Sequence, residues 1–250
     1  MELQLNGRTA LVTGASMGIG RAIARGLAAE GARLAVVARR GELLERLASE
    51  IVGAGGTKPA IIVQDLMAED GARRIAAMAF KALGPVDILV NCAGGSRPMP
   101  LDAPEERWEE ALTLNFTRQR QLTHALLPHM MERRWGRVIN ITGKSEPDKL
   151  NAAFAAKAAV HSWAKGLSRD VGRHGVTVNS IAPGRIISEQ ILRNYPPEDR
   201  KRFSETEIPV GEYGQPEDLA VLAVFLASPL AHYITGTVIP VDGGLRRYQF

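Results

Sequence analysis

Apolar residues in this chain fall into short continuous runs, separated by longer stretches in which they recur every three or four positions. Short runs bounded by turn residues read as strands buried on both faces. The longer pattern reads as helices with one covered side. Strands are expected at residues 9–13, 33–37, 60–63, 86–91, 137–142, 176–181 and 237–241. Helices are expected at 18–30, 42–52, 69–83, 105–116, 118–134, 151–173 and 216–226. This alternation predicts an α/β fold, a doubly wound parallel sheet with helices on both faces. No linker, composition break or solenoid repeat divides the chain, so one domain over 1–250 is expected. Two loops stand out. Residues 96–104 carry three prolines, and the polar stretch 184–214 is long enough to supply a substrate lid over 185–214.

In such a sheet, ligands bind outside the carboxyl ends of the strands. The first strand ends in Thr13-Gly14-Ala15-Ser16-Met17-Gly18-Ile19-Gly20 and a helix follows. Strand, glycine turn and helix N-terminus together suit a pyrophosphate. The spacing is G-x-x-x-G-x-G, and without a ligand the same residues make a tight turn. After the second strand come Arg39 and Arg40, with no acid. An acid there suits NAD and an arginine suits the extra phosphate of NADP, so NADP(H) is favoured over NAD(H). A basic residue at Met17 would have strengthened that reading, and a solvated basic turn is its alternative. Asp65-Leu66 follows the third strand, either to accept from an adenine amino group or to cap a helix. Asn91-Cys92-Ala93-Gly94-Gly95 follows the fourth, where small residues admit a ligand to the backbone or simply turn the chain.

Composition narrows the partners. The chain has 250 residues, 45% hydrophobic and 23% charged, as in ordinary globular proteins. A net charge of +4 favours small anionic ligands and is too low to argue for nucleic acid. One cysteine, Cys92, excludes an internal disulfide framework and fits a reducing compartment. The five histidines show no metal-ligand spacing, so no metal is expected. No run is long and apolar enough to span a bilayer, and the N-terminus lacks a signal-peptide pattern. A cytoplasmic protein without membrane partners is expected.

The motifs, in order, resemble those of the classical short-chain dehydrogenase/reductase family, nearest to its β-ketoacyl carrier-protein reductase branch. They are Thr13-Gly14-x-x-x-Gly18-Ile19-Gly20, Asp65-Leu66, Asn91-Cys92-Ala93-Gly94, Leu114-Asn115, Lys157-Ala158-Ala159, Val178-Asn179-x-x-x-Pro183-Gly184 and Ile234-Thr235-Gly236 with Val241-Asp242-Gly243-Gly244. The resemblance implies a Rossmann-like domain, a homotetramer or homodimer joined through helices near 105–134 and 151–173, and a small carbonyl or acyl-thioester substrate. It implies a cofactor cradled by Gly14, Ser16, Met17, Gly18, Ile19 and Gly20. Arg39 and Arg40 would meet its 2′-phosphate, and Asp65 and Leu66 its adenine. Asn91, Ala93 and Gly94 would run along it, Lys157 would hold the ribose, and Pro183, Gly184 and Ile186 would meet the carboxamide. Catalytic roles would fall to Asn115 and Lys157.

The family pattern pairs that asparagine and lysine with a serine and with a tyrosine four residues before the lysine. Here those two positions are Gly143 and Ala153. The chain is in this respect similar to reductase-like members that lack a complete tetrad. Three explanations stay open. Catalytic groups are displaced, with Thr142, Lys144, Ser145, Tyr195 and Lys157 itself as candidates. Alternatively, the protein binds NADP(H) without catalysis, as a sensor or partner subunit. The third explanation is a substrate that supplies its own acid.

Overall fold

A computed structural model describes residues 2–143 and 149–247. Lys144, Ser145 and the chain end from Tyr248 to Phe250 therefore lie outside the described residues.

The strands are β1 (Thr9–Thr13), β2 (Arg33–Ala38), β3 (Ala60–Val63), β4 (Ile88–Asn91), β5 (Gly136–Ile141), β6 (Val176–Pro183) and β7 (Val238–Val241). They form one parallel sheet in the order β3-β2-β1-β4-β5-β6-β7. The order reverses between β1 and β4, which opens a crevice at their carboxyl ends. The last strand pairs Pro240 with Ala182 at the sheet edge.

Successive residues of β1 point to opposite faces, and the two faces are covered by different helices. Ala10 and Val12 pack with Ile23 and Leu27 of α1 (Gly18–Ala29), Leu44 and Leu47 of α2 (Gly41–Gly53) and Leu219 of α9 (Pro216–Ala227). Leu11 packs on the other side with Ile75 of α3 (Gly71–Leu83), Leu122 of α5 (Arg118–Glu132) and Ala164 of α6 (Ala152–Val171). Burial on both faces is why these strands read as unbroken apolar runs.

Three features depart from the periodic reading. The helix expected at 105–116 ends as α4 (Glu105–Leu112) and passes through one π-helical turn, Thr113–Thr117, before α5. Within the expected lid are α7 (Glu189–Asn194) and α8 (Pro197–Glu207). Both are too short or too polar to show a clear helical stripe. Finally, α3 begins after Asp70, so Asp65 does not cap it. Its Oδ1 instead accepts from the amide of Met67 at 2.9 Å, a local turn.

Candidate functional site

At the carboxyl ends of the strands lies a cleft of about 910 Å³. Its walls come from the β1–α1 turn, the segments after β2, β3 and β4, the N-terminus of α6, the end of β6 and the lid.

The glycine turn is built around close backbone approach. Gly14 has φ of +67°, and a Cβ on it would come within 3.0 Å of the Ala93 backbone. A Cβ on Gly20 would sit directly on the carbonyl oxygen of Gly14. Gly18, at φ +52°, faces open space. No side chain caps the N-terminus of α1, and its first turn holds no acid. The helix therefore presents amide hydrogens and a positive dipole end to the cleft, the arrangement a pyrophosphate requires. These residues fit a dinucleotide.

The neighbouring segment is held by Thr13. Its Oγ1 accepts from the amides of Cys92 and Ala93 at 3.0 and 3.1 Å and donates to the Val90 carbonyl. Gln119 adds a bond from Nε2 to the Ala93 carbonyl at 2.8 Å. Neither positioning role was among the sequence expectations. Both residues read as ordinary members of a strand and a helix.

Of the expected site residues, Gly14, Ser16, Met17, Gly18, Ile19, Gly20, Arg39, Arg40, Asp65, Leu66, Ala93, Gly94, Lys157, Pro183, Gly184 and Ile186 all line the cleft. Asn91 and Asn115 are buried behind its wall. The Asn91 Nδ2 donates to Thr123 and Asn140, so that side chain is committed inside the protein. Asn115 stands in the π-helical turn. Its Oδ1 accepts from the Gly95 amide at 3.0 Å and its Nδ2 donates to the Ala111 carbonyl. It lies just beneath Gly94, where an added Cβ would be 2.9 Å from Asn115 Oδ1 and 3.7 Å from Lys157 Nζ.

Lys157 reaches the cleft floor from α6. Its ammonium donates to the carbonyls of Thr142 at 2.8 Å and Ile141 at 3.2 Å. Burial lowers its pKa to about 8, against a smaller opposing effect of Cys92. Burial likewise pushes the Cys92 thiol up to about 12, despite the nearby ammonium, so it is a poor nucleophile. One helical turn beyond Lys157, His161 Nε2 meets Thr142 Oγ1 at 2.8 Å. Burial, then the charges of Lys157 and Arg246, lower the His161 pKa, so the ring is held neutral.

Ala153 and Gly143 line the cleft beside Lys157, and neither carries a hydroxyl. The nearest described atoms to a Cβ on Gly143 would be Lys157 Cδ at 3.2 Å and the Phe154 ring at 3.7 Å. Among the described residues, hydroxyls on the cleft wall belong to Thr13, Ser16, Ser96, Thr142, Ser188 and Tyr195. Ser188 caps α7, and Ser96 accepts from Asn151, whose Oδ1 also caps α6 and holds the Arg97 amide.

The family described as Enoyl-(Acyl carrier protein) reductase matches residues 14–246. The 3-oxoacyl-(acyl-carrier-protein) reductase FabG of Aquifex aeolicus is 35% identical, with 98% of this chain and 100% of that protein covered. A solved Beutenbergia cavernae protein, described as a putative NAD(P)-dependent gluconate 5-dehydrogenase with bound NADP, is 35% identical. It superposes with a TM-score of 0.90 over 98% of this chain and 99% of its own. The Pseudomonas aeruginosa RhlG/NADP active-site complex is 36% identical at a TM-score of 0.89, with 98% of both chains covered. Sheet order, glycine turn, the lysine on α6 and these matches over nearly the full length all agree: the chain belongs to the classical short-chain dehydrogenase/reductase family.

Proposed function

We propose that this protein is an NADP(H)-dependent oxidoreductase acting on a carbonyl or secondary alcohol, with Lys157 as the group that governs the proton. The observation that carries this is the buried ammonium of Lys157 in the floor of a cleft whose other end is a glycine cradle fit for a dinucleotide. When bound, the cofactor supplies a hydride to the carbonyl carbon.

The chain's residues have the remaining tasks. Gly14 and Gly20 let the backbone close around the pyrophosphate, and the amides at the start of α1 hold it. Arg39 is exposed at the end of β2 with no ion-pair partner among the described residues, which suits a 2′-phosphate. Arg40 beside it faces Glu189 of the lid at 3.7 Å. Asp65 and Leu66 take the adenine, Ala93 and Gly94 pass along the dinucleotide, and Pro183, Gly184 and Ile186 meet the carboxamide. Lys157 is protonated at neutral pH and has a pKa near working conditions, as a proton donor to a developing alkoxide requires. Asn115 sets the Gly95 amide and the bend that brings Gly94 over Lys157. Substrates of the relatives suggest an acyl thioester or another small carbonyl compound, enclosed by a lid at 185–214.

A second reading is a non-catalytic NADP(H)-binding sensor or partner subunit, favoured by the missing hydroxyls at Ala153 and Gly143. Among the described residues no helix is long and apolar enough to cross a membrane. Cytoplasmic residence, a single domain over 1–250 and a homotetramer or homodimer through α4–α5 and α6 complete the proposal.

The test is a fluorescence titration with NADPH and with NADH, followed by NADPH consumption over a panel of carbonyl compounds. Selective NADPH binding with turnover supports the reductase. Selective binding with no turnover supports the sensor. Binding of neither cofactor overturns both.

A further inference from the structure

Resting on the reductase reading, we propose that its substrate carries an anionic group, a carboxylate or a phosphate monoester, and that Arg185 binds this group at the lid end of the cleft.

Among the described residues, six cationic side chains line the cleft, Arg39, Arg40, Arg97, Lys157, Arg185 and Arg193, against two carboxylates, Asp65 and Glu110. Asp65 stands at the end of β3. Glu110 is committed to Arg97, which it binds through both oxygens at 2.7 and 2.8 Å. Arg39, Arg40 and Lys157 answer to the cofactor. Arg185 and Arg193 remain, both contributed by the lid.

Arg185 is built as a binding group. Its backbone is fixed because its carbonyl accepts from the Gly214 amide at 2.9 Å, and the next residue but one, Ile187, donates to the Gly214 carbonyl at 2.8 Å. Its guanidinium carbon lies 4.7 Å from the Phe203 ring centre and 5.2 Å from that of Tyr195. One nitrogen donates to the Tyr195 hydroxyl at 3.3 Å. The rings restrain the guanidinium without neutralising it. A guanidinium has five N–H donors, and among the described residues no carboxylate pairs with this one and no second acceptor meets it. A purely structural clip of arginine between rings would serve equally well away from the cleft. This one follows Pro183-Gly184 directly, on the cleft wall at the end of β6. Its free N–H groups match the planar oxygens of a carboxylate or phosphate. Arg193, exposed on α7, adds positive potential to the same wall.

The experiment compares charged and neutral members of matched pairs by isothermal titration into NADP⁺-saturated protein. The pairs are levulinate with methyl levulinate, and dihydroxyacetone phosphate with dihydroxyacetone. At least one anion is expected to bind about ten- to a hundredfold more tightly than its neutral partner, with that advantage falling to about twofold or less in Arg185→Met. The better pair distinguishes carboxylate from phosphate. Arg185→Lys, which keeps the charge and loses the fork, is expected to retain part of the advantage. Equal binding within both pairs, or binding of none of the four, overturns the proposal, as does an advantage that survives Arg185→Met. The melting temperature and NADP⁺ affinity of each variant report whether its cleft is intact. If Arg185→Met does not fold, Arg185→Gln takes its place. Failure of the native protein to take up NADP⁺ overturns the cofactor reading alone, and the paired comparison is then made on the free protein.

Discussion

The ammonium of Lys157 lies 2.8 Å from the backbone carbonyl of Thr142, so the last residue before the substituted serine position also anchors the lysine. In the folded protein the lysine gives up its proton near pH 8, whereas an ordinary lysine does so at 10.5. If Lys157 is the proton donor, carbonyl reduction declines as pH rises through about 8, and alcohol oxidation rises over the same interval. Stability has its own sign. Between about 8 and 10.5 the unfolded chain holds more protons at Lys157 than the folded one, which raises resistance to urea with pH; above 9 the Cys92 thiol, kept protonated in the fold up to about 12, acts with the opposite sign, so the net rise is expected between about pH 8 and 9. Steady-state rates and urea midpoints from pH 6 to 11 check both, with Lys157→Met as the reference in which both trends are lost.

Restoring the two hydroxyls tests what the site has lost. The nearest described neighbours of a Cβ at Gly143 are the flexible Lys157 side chain and the Phe154 ring, and Ala153 already lines the cleft. The first variant is Gly143→Ser. Combined with Ala153→Tyr it is expected to raise the rate of carbonyl reduction by ~10²–10⁴-fold, the usual contribution of a positioned general acid. The comparison is kcat for NADPH consumption on one substrate known to bind the native protein. An unchanged rate would mean that the reacting carbonyl sits elsewhere in the cleft.

Cofactor choice should follow Arg39. Replacing it with Asp removes the exposed guanidinium at the end of β2 and supplies an acid for a ribose hydroxyl. NADPH affinity is expected to fall by roughly ten- to a hundredfold while NADH affinity rises. Paired fluorescence titrations decide it, and unchanged NADPH affinity would remove Arg39 from the phosphate site.

The glycine turn makes a structural prediction as well. Alanine at Gly20 would gain helix propensity, yet its Cβ would collide with the Gly14 carbonyl. The collision wins because backbone, unlike a side chain, cannot swing aside. Gly20→Ala is expected to cost ~1–3 kcal/mol of stability and to abolish NADPH binding. Thermal melts and the same titration read both effects.

Much of this arrangement was legible in the chain itself. Strand positions followed from apolar runs such as Leu11-Val12 and Val36-Val37, which need a helix on each side, and the site followed from the turns where those runs end. What escaped was set by tertiary contacts. The π-helical turn leaves no periodic trace, and the sequence pattern runs a plain helix through Asn115. The lid helices α7 and α8 are anchored by a Ser188 cap and by Arg185 between two rings, contacts with no periodicity to read. Asn91 looked like a cleft residue from its position. The direction of its side chain depends on Thr123 and Asn140, which are distant in sequence.

The placement of Pro240 has a consequence for how molecules of this protein meet. The carbonyls of Thr237 and Val241 both accept from β6, through the amides of Ser180 and Gly184. By the alternation of a strand, the backbone of Pro240 faces outward from the open edge of the sheet. It offers no amide hydrogen there, so an incoming strand would find the ladder interrupted at its middle. Exposed edges are where unrelated chains add on and polymerise, and this one is blocked by a single imino acid. Continuation of the sheet from copy to copy through β7 is thereby disfavoured, which leaves helical faces, side chains and the opposite edge at β3 for any association.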